Sequence, residues 1–569
     1  MDYMTSGLRI VVAQLNATVG DVRGNLLKAQ EFIAQHSSGA DLIVFPESFL
    51  AGYQADDLVL NAGFMADIEG AVHDLAAFVR GGDVAVLIGA PEAGPDLPFN
   101  AAHMLYPDGS RRTARKVDLP NDGPFDEKRV FAPGELRKPF PLKGHRIGVV
   151  ICEEMWHRTV TDHLAGELAD ILIAINGSPY SRGKHNGVRL AHAKRRVLET
   201  RLPLIYCNLV GGQDELVYDG ASFALQPDGS HALSLAAFEE AAGSVSLYNG
   251  WLTEGQPSVF AGYPKDLEAD YAACVLALRD YVEKNRFPGI VLGISGGIDS
   301  ALVGAIAVDA LGRDRVQGIT LPSAITSTDS LGDAEATANG LGIKLAAIPI
   351  AGMVAAANDA ISTHLAVSGP GITGENIQAR ARMIVIMAWS NQTGLLPLTT
   401  GNKSENSVGY STLYGDAAGG FNPIKDIYKT QVWEMSKMRN EVVPVGALGG
   451  DSLKIPSAVI AKPPTAELAE GQTDEATLGP YRVLDALLIE MIDNQVSSGE
   501  ATRRILKANP SWVWDRNLSP FLTPEHAARI GRLIRNAEFK RRQAAPGPKI
   551  GPLAFGRDRR YPITNRHEF

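Results

Sequence analysis

Cysteine is scarce in this sequence. Only three cysteines occur in 569 residues, Cys152, Cys207 and Cys274, and they stand far apart. No CxxC pair is present, so the sequence favours neither a zinc ribbon nor a disulfide framework. We therefore expect a protein with reduced thiols, as is typical of the cytoplasm.

Long apolar runs are also missing. No stretch approaches the ~20 apolar residues that a membrane-spanning helix needs, and the N-terminal residues show no basic region followed by an apolar core. We expect neither a membrane segment nor a signal peptide.

Basic residues are outnumbered by acidic ones. Lys and Arg total 54 and Asp and Glu total 64, which gives a formal net charge of −10. An acidic chain is a poor general binder of nucleic acid or of anionic membrane surfaces. We therefore expect small-molecule partners, no nucleic acid and no membrane.

The first half alternates apolar, strand-like runs with helical patterns, for example at 25–36 and 185–200. This alternation predicts sheets with helices packed on a face. The tetrapeptide PDGS occurs at 107–110 and again at 227–230, with the composition of a tight hairpin turn. The sheets of this half are therefore not expected to be purely parallel.

A segment rich in glycine and proline, 248–266, has no clear period and separates the halves. We expect one domain over 1–260 and a second over 261–569, the latter ending in a basic tail that docks rather than stays free. Strand-like and helical segments alternate after the boundary, which predicts a doubly wound parallel sheet. Ligands bind at the carboxyl ends of the strands in such sheets.

A glycine-rich loop, GISGGIDS, follows the first of these strands at 293–300. It lacks the lysine of a GxxxxGK[ST] phosphate loop and does not match GxGxxG. Between a strand and a helix, backbone N–H groups of such a loop can hold a phosphate, with hydroxyls from Ser295 and Ser300. The alternative is a tight turn with Asp299 or Ser300 as the helix N-cap. Two serines and an aspartate together favour the phosphate site.

The loop contains SGGxDS, the signature of the ATP pyrophosphatases, which split ATP between the α- and β-phosphates and adenylate a substrate. More narrowly, GISGGIDSAL, ENIQARAR at 375–382, TTGNKSE at 399–405, YGDAAGGFNPIKDIYKT and KPPTAEL resemble the NAD synthetase family over nearly all of the second half. Taken singly, ENIQARAR could be an amphipathic helix with a solvated face and TTGNKSE a capped loop; jointly these alternatives are weak.

This resemblance implies that ATP is a co-substrate and that deamido-NAD is amidated to NAD⁺. The implied ATP-binding residues are Gly293, Ile294, Ser295, Gly296, Gly297, Ile298, Asp299, Ser300 and Thr400. The implied deamido-NAD contacts are Asn376, Glu405 and Lys540, and Lys462 and Thr465 resemble part of a loop over the phosphates. Because pyrophosphate is a highly charged leaving group, we expect Mg²⁺, with Asp299 and Glu405 as candidate ligands. The family forms dimers through this domain, so we expect at least a homodimer.

Cys152 differs from the other two cysteines, which we interpret as small buried hydrophobes. The strand before Cys152 stops there, and Glu153, Glu154 and Trp156 follow. This pattern predicts an elbow between a strand and a helix that presents the thiol.

The motifs FPES, RKVDLP and VVICEEMW carry Glu47, Lys116 and Cys152 in that order, and together they resemble the nitrilase (carbon–nitrogen hydrolase) superfamily across about residues 1–260. The resemblance implies an αββα sandwich and a Glu–Lys–Cys triad that releases ammonia from glutamine, with Glu127 as a second glutamate. Singly, Glu47 could be a turn residue and Lys116 a solvated loop lysine.

The segment INGSPYSRGKHN at 175–186 resembles the glutamine-binding loop of these enzymes. Ser178 and Lys184 would then hold the amino-acid end of glutamine, and Arg182 is an alternative that could share the work of Lys184. Asp122 is a further candidate contact, although many relatives have an aromatic residue at this position.

Two other functions are compatible with parts of the sequence. One is a glutamine amidotransferase that adenylates a different carboxylate. The other is a nitrilase-type amidase fused to an inactive nucleotide-sensing domain. The joint presence of ENIQAR and TTGNKSE argues against the first, and intact Ser295, Asp299 and Thr400 argue against the second.

Overall fold

A computed structural model describes residues 7–254, 260–365, 371–465, 468 and 474–567. Spatial contacts between residues divide the chain into two compact units, Met1–Asp266 and Leu267–Phe569. Within the described ranges, no helix is long and apolar enough to cross a membrane.

The first unit is built on two mixed β-sheets. Its strands are β1 (Leu8–Gln14), β2 (Leu42–Val44), β3 (Ala85–Gly89), β4 (Ala101–Leu105), β5 (Arg111–Arg115), β6 (Phe140–Leu142), β7 (His145–Ile151), β8 (Ile171–Asn176), β9 (Leu204–Asn208), β10 (Val210–Gln213), β11 (Leu216–Asp219), β12 (Phe223–Leu225), β13 (His231–Ser234), β14 (Ala241–Tyr248) and β15 (Trp251–Glu254). Its helices are α1 (Val22–His36), α2 (Ala62–Val79), α3 (Glu127–Val130), α4 (Thr159–Gly166) and α5 (Leu190–Thr200).

The two large sheets pack face to face between layers of helices. The first runs in the order β15-β14-β1-β2-β3-β4-β5 and the second in the order β13-β12-β9-β8-β7-β6. Along β1, Ile10 and Val12 enter the core between the sheets, whereas Val11 and Ala13 enter the core under α1 and α2. This is the two-residue alternation of a strand buried on both faces. The helices α4 and α5 cover the second sheet. The αββα sandwich is confirmed.

Both PDGS tetrapeptides form hairpin turns, as the composition predicts. The first joins β4 to β5 and the second joins β12 to β13, and both pairs are antiparallel. In each turn the aspartate carboxylate accepts the serine N–H at 2.8 Å, from Ser110 to Asp108 and from Ser230 to Asp228.

The second unit contains a four-stranded sheet in the order β18-β17-β16-β19, made of β16 (Ile290–Gly293), β17 (Val316–Thr320), β18 (Lys344–Ala347) and β19 (Leu396–Leu398). All three strand pairs are parallel. The chain order reverses between β16 and β19, so a crevice opens at their carboxyl ends. The glycine loop 293–300 and the TTGNKSE segment 399–405 both lie at this point. The doubly wound sheet is confirmed.

Helices surround this sheet and form a further bundle. They are α6 (Asp266–Lys284), α7 (Ile298–Leu311), α8 (Thr328–Leu341), α9 (Ala351–Ser362), α10 (Ile372–Thr393), α11 (Lys403–Val408), α12 (Lys429–Glu441), α13 (Ser457–Ala461), α14 (Asp474–Leu478), α15 (Tyr481–Leu488), α16 (Ser498–Ala508), α17 (Pro524–Asn536) and α18 (Glu538–Arg541). The N-cap of α7 is Gly297, so the alternative with Asp299 or Ser300 as the cap is wrong.

The C-terminal tail docks on the second unit. Phe555 and Tyr561 pack against the bundle core around α15 and α17, while Phe569 lies outside the described residues. Polar contacts hold the tail as well: Asp426 accepts the N–H groups of Ile550 at 2.8 Å and Gly551 at 2.7 Å.

Candidate active sites

Glu47 lies in the turn that follows β2 and is fully buried. Its Oε1 accepts Lys116 Nζ at 2.7 Å, and its Oε2 accepts the N–H of Gly177 at 2.7 Å. The turn can lie so close to the end of β3 because Gly89 has no side chain: a Cβ there would be 2.2 Å from the Ser48 nitrogen. The ends of β2 and β3 and the absence of a side chain at Gly89 therefore fix the position of Glu47.

Lys116, directly after β5, is buried between two carboxylates. Its Nζ lies 2.7 Å from Glu47 Oε1 and 2.9 Å from Glu127 Oε2. Burial opposes a charge on Lys116, but the carboxylates of Glu127 and Glu47 outweigh it and raise the pKa of Lys116 well above its ordinary value. The residue is therefore a fixed cation rather than a proton donor near neutral pH.

Asn100 and Tyr53 complete this cluster, although the sequence patterns did not single them out. Asn100 Nδ2 donates to Glu47 at 2.8 Å and to Glu127 at 3.2 Å, and Tyr53 OH donates to Glu127 at 2.8 Å. Burial raises the pKa of Glu127, and Lys116 opposes that shift. These donors stabilise two carboxylates that would otherwise repel each other.

Cys152 is the first residue after β7, where a short 3-10 turn begins. Its φ of 46° lies in the left-handed region, which costs a non-glycine residue about 1–3 kcal/mol and is typical of functional sites. Burial and the negative charge of Glu47 raise the pKa of the Cys152 thiol well above its ordinary value, although Lys116 opposes the shift. The resting group is a thiol, so nucleophilic attack needs a base that takes the proton.

Ser178 lies beside this cluster, two residues beyond β8, and is buried. Arg189 donates to its carbonyl oxygen at 3.1 Å and forms a buried ion pair with Asp219 at 2.9 Å. Tyr263 OH also donates to Asp219, at 2.8 Å. The backbone around Ser178 is thus held by buried charge.

The other candidate glutamine contacts lie nearer the surface. Lys184 is half-buried, donates to the Pro179 carbonyl at 3.0 Å and lies 5.7 Å from the centre of the Trp156 ring. Arg182 is half-buried and Asp122 is exposed. The charge of Asp122 still contributes to a raised pKa at Glu153, after burial as the main cause, so Asp122 lies near the elbow.

A cavity of about 650 Å³ lies at the carboxyl ends of the parallel strands in the second unit. Most of the predicted residues line it: Gly293, Ile294, Ser295, Gly297, Ile298, Asp299, Ser300, Asn376, Thr400, Glu405, Lys462, Thr465 and Lys540. Gly296 is not among the lining residues. Its φ is 81°, and a Cβ there would lie 2.5 Å from the Ser330 carbonyl oxygen, so this glycine serves the packing of the loop on α8.

Lys429 is a central residue of this cavity that the sequence analysis did not single out. Its buried Nζ forms a close ion pair with Asp299 and lies 3.7 Å from Glu405 Oε1. Burial opposes its charge, but Asp299 and Glu405 outweigh this and raise the pKa of Lys429. Burial and the charge of Asp299 raise the pKa of Glu405. The residue lies within YGDAAGGFNPIKDIYKT, but only the folded chain brings it to the carboxylates.

The donor set fits a Mg²⁺ ion that arrives with a phosphate ligand. Asp299 and Glu405 offer two carboxylates, the ligand type that Mg²⁺ combines with substrate phosphates and water. No group of three or more His, Cys, Asp or Glu side chains suited to a metal occurs in the described part of the chain. An all-protein metal cage is therefore not found among these residues.

The other predicted ligand contacts, Asn376, Lys540 and Lys462, form hydrogen bonds within the lining of the cavity. Thr412 Oγ1 donates to Asn376 at 2.7 Å, and Lys540 Nζ donates to the Gly409 and Ser411 carbonyls at 2.8 and 2.6 Å. Both residues thus hold the segment 409–412. Lys462 donates to Ser330 at 2.8 Å and to Asp333 at 2.9 Å.

Comparisons with known proteins identify the family of each unit. The carbon-nitrogen hydrolase family matches residues 9–247, and the NAD synthase family matches residues 270–544. The glutamine-dependent NAD(+) synthetase of Rhodobacter capsulatus is 45% identical over 99% of this chain and 99% of its own. That of Xanthomonas campestris is 40% identical over 98% of this chain and 97% of its own.

A solved structure is similar over the same extent. The glutamine-dependent NAD+ synthetase from Acinetobacter baumannii, in complex with ADP, is 34% identical, covers 98% of this chain and 99% of its own, and superposes with a TM-score of 0.75. The family resemblance that the motifs indicate is confirmed. The chain belongs to the glutamine-dependent NAD(+) synthetase family.

Proposed function

We propose that this enzyme makes NAD⁺ from deamido-NAD, ATP and glutamine, with AMP, pyrophosphate and glutamate as the other products. Residues 1–260 would release ammonia from glutamine, and residues 261–569 would adenylate and amidate deamido-NAD. One observation carries the proposal: the two units hold two different reactive clusters, a buried Glu47–Lys116–Glu127 group beside Cys152 and a Lys429–carboxylate cavity behind a glycine loop.

In the first unit, Glu47 would take the thiol proton as Cys152 attacks the side-chain amide carbon of glutamine. The raised pKa of Cys152 supports this, because a thiol that stays protonated at rest needs a base during attack. Lys116 and the N–H after Cys152 would stabilise the tetrahedral oxyanion. The proton on Glu47 would pass to the departing ammonia and leave a thioester.

The same groups would then hydrolyse the thioester. Glu47 would take a proton from water as the water oxygen attacks the thioester carbon, and the Cys152 sulfur would leave and regain a proton. Lys116 would remain charged throughout, because Glu127 on its other side compensates its charge at 2.9 Å. Ser178 and Lys184 would hold the amino-acid end of glutamine, with Asp122 or Arg182 as further contacts.

In the second unit, the carboxylate of deamido-NAD would attack the α-phosphorus of ATP and displace pyrophosphate. Ammonia would then attack the resulting acyl-adenylate and displace AMP. The loop 293–300 would hold phosphate oxygens on its N–H groups, with Thr400 as a further ATP contact. Lys429 would stabilise the charge that moves onto pyrophosphate. Asn376, Glu405 and Lys540 would contact deamido-NAD.

A bound Mg²⁺ would neutralise negative charge on the phosphates, and Asp299 and Glu405 would hold it. Lys462 and Thr465 would lie over the phosphates. Three free, buried cysteines support a place in the reducing cytoplasm.

We also propose that the second unit pairs with a second copy of this chain through α9 and α10. Every residue of α9 is at least partly exposed, although most of its side chains are apolar. On α10, the exposed fractions of Ile384 and Met387 are 59% and 39%. Light scattering should show at least a dimer, and Ile384→Glu with Met387→Glu should shift it toward the monomer. Leu506→Glu, at an exposed position on α16, is the matched control; a monomeric wild type would refute this interface.

The whole proposal is tested by NAD⁺ formation from deamido-NAD, ATP and Mg²⁺, with glutamine and with ammonium in parallel. NAD⁺ with both donors supports it. Glutamine hydrolysis without NAD⁺ from either donor would favour an amidase fused to a nucleotide sensor, and activity on another carboxylate would favour a different amidotransferase.

A further inference from the structure

The two central residues of the proposed glutaminase site come from different sheets. Lys116 follows β5, the edge strand of the seven-stranded sheet, and Cys152 follows β7 of the six-stranded sheet. Backbone hydrogen bonds within either sheet do not set the distance between these two chain segments. Contacts between the sheets set it: the apolar core packs the two sheets together, and polar contacts between them can fix these two segments.

The Glu154 carboxylate provides such a polar contact. Its Oε1 accepts the N–H of Val117, next to Lys116, at 2.7 Å. Its Oε2 accepts the N–H of Ile151, next to Cys152, also at 2.7 Å. One fully buried carboxylate therefore joins the backbone neighbours of both residues.

Arg137 pairs with Glu154 and also joins the same two chain segments itself. Its two terminal nitrogens pair with both oxygens of Glu154, with Nη1 2.8 Å from Oε1. The same nitrogens donate to the carbonyl of Arg115, at the end of β5, at 3.1 Å and to the carbonyl of Val149, in β7, at 2.7 Å. A rigid guanidinium thus contacts the backbone of both sheets.

We propose that Glu154 and Arg137 form a clamp that positions Cys152 against Lys116 for glutamine hydrolysis. The proposal rests on the proposed glutaminase function. Glu154 acts as a positioning residue because its two oxygens already accept two backbone N–H groups and both arms of Arg137, which fills the acceptor places of a carboxylate. It has no place left for a substrate proton.

The test is Glu154→Gln in the full-length protein. An amide keeps the size but loses the charge and can accept at only one atom, so one of the two backbone N–H groups loses its acceptor and Arg137 loses its ion pair. We expect kcat for glutamine hydrolysis to fall by about 10- to 100-fold, as a misplacement near 1 Å can cause, with KM for glutamine nearly unchanged. Ammonia-driven NAD⁺ formation should stay at the wild-type rate.

A second readout does not depend on glutamine. The rate at which iodoacetamide alkylates Cys152, followed by peptide mass spectrometry against pH, should shift to higher pH when Lys116 moves away. Glu154→Asp, which keeps a carboxylate, should restore part of kcat. Should Glu154→Gln not fold, Arg137→Lys keeps the charge but removes the fork and should show the same loss.

Glu69→Gln is the matched control, because Glu69 pairs with Arg111 on the same strand β5 at 2.9 Å but lies exposed. It should change neither readout. A Glu154→Gln protein with wild-type kcat and an unshifted alkylation profile, even at a lower melting temperature, would overturn the clamp. If the wild type hydrolyses no glutamine, the proposed function fails, while the alkylation profile still decides about the clamp.

Discussion

The buried Lys429 Nζ forms an ion pair with Asp299, at the start of the helix that follows the glycine loop. The pair places a fixed cation where an ATP-pyrophosphatase reaction develops negative charge. Glu405 Oε1 lies 3.7 Å from the same Nζ. We expect this group of three residues to be the centre of the adenylation chemistry.

Lys429→Met should therefore reduce the rate of NAD⁺ formation by about 100-fold or more with either nitrogen donor, because a stabilising cation is lost from the transition state. Glutamine hydrolysis in the first unit should persist. The measurement is NAD⁺ formation and glutamate release in parallel. Lys437→Met, an exposed lysine on the same helix, is the control. Normal synthesis by Lys429→Met would remove this residue from the mechanism.

Glu47→Gln should lose the base that takes the Cys152 proton. General bases contribute about 10²- to 10⁴-fold, so glutamine hydrolysis should fall by that factor while ammonia-driven synthesis is unchanged. Steady-state glutamate release measures the effect. Glu92→Gln is a matched control, since Glu92 pairs with Arg115 beside the same strand end. A variant with more than a tenth of wild-type glutaminase would assign the base role elsewhere.

Lys403→Met should destabilise the second unit. This buried lysine lies 2.8 Å from Asp426 and 3.2 Å from Asp493, and it also donates to the tail carbonyl of Leu553 at 2.8 Å. Removing one partner of a buried pair leaves uncompensated charge and costs about 3–5 kcal/mol. Thermal unfolding should show a lower midpoint, with Lys507→Met, at an exposed site, as the control. An unchanged midpoint would mean that the tail does not depend on this lysine.

Stability of the first unit should fall in mild acid because of His103. Burial, with a further contribution from Arg111, lowers the pKa of this histidine to about 4. His103 therefore binds a proton near pH 6.5 in the unfolded chain but only near pH 4 in the folded chain. The contribution of His103 to the free energy of unfolding is therefore fully present above pH 6.5. It falls by about 3 kcal/mol as the pH falls toward 4.

His103→Gln should reduce that loss. Unfolding in urea at pH 7.5 and pH 5 measures it, and the difference between the two pH values should be smaller in the variant than in the wild type. The exposed His73→Gln is the control. Equal pH dependence in wild type and His103→Gln would contradict the assignment.

The sequence predicted the residues that sit in short motifs at strand ends. Glu47, Cys152 and the loop 293–300 could be found because the strand, the turn and the reactive residue are neighbours in the chain. The parallel sheet then explains why the loop and Thr400 face the same cavity, since their strands β16 and β19 are paired.

The site residues that the motifs did not indicate are those whose partners lie far away in the chain. Tyr53 contacts a glutamate 74 positions later, and Lys429 contacts an aspartate 130 positions earlier. Local periodicity carries no information about such contacts. At Gly296 the motif predicts a phosphate contact, which stays a prediction, and the positive φ and the closeness to Ser330 add a packing reason for the glycine.

The most direct test of the central claim is NAD⁺ formation by Cys152→Ala, measured with glutamine and with ammonium at saturating ATP, Mg²⁺ and deamido-NAD. Cys274→Ala, another buried cysteine, is the control. Because glutamine hydrolysis and NAD⁺ synthesis are assigned to different sites, Cys152→Ala should lose glutamine-driven synthesis and keep ammonia-driven synthesis. Glutamine-driven synthesis at the wild-type rate, or loss of both activities in a folded protein, would contradict this account.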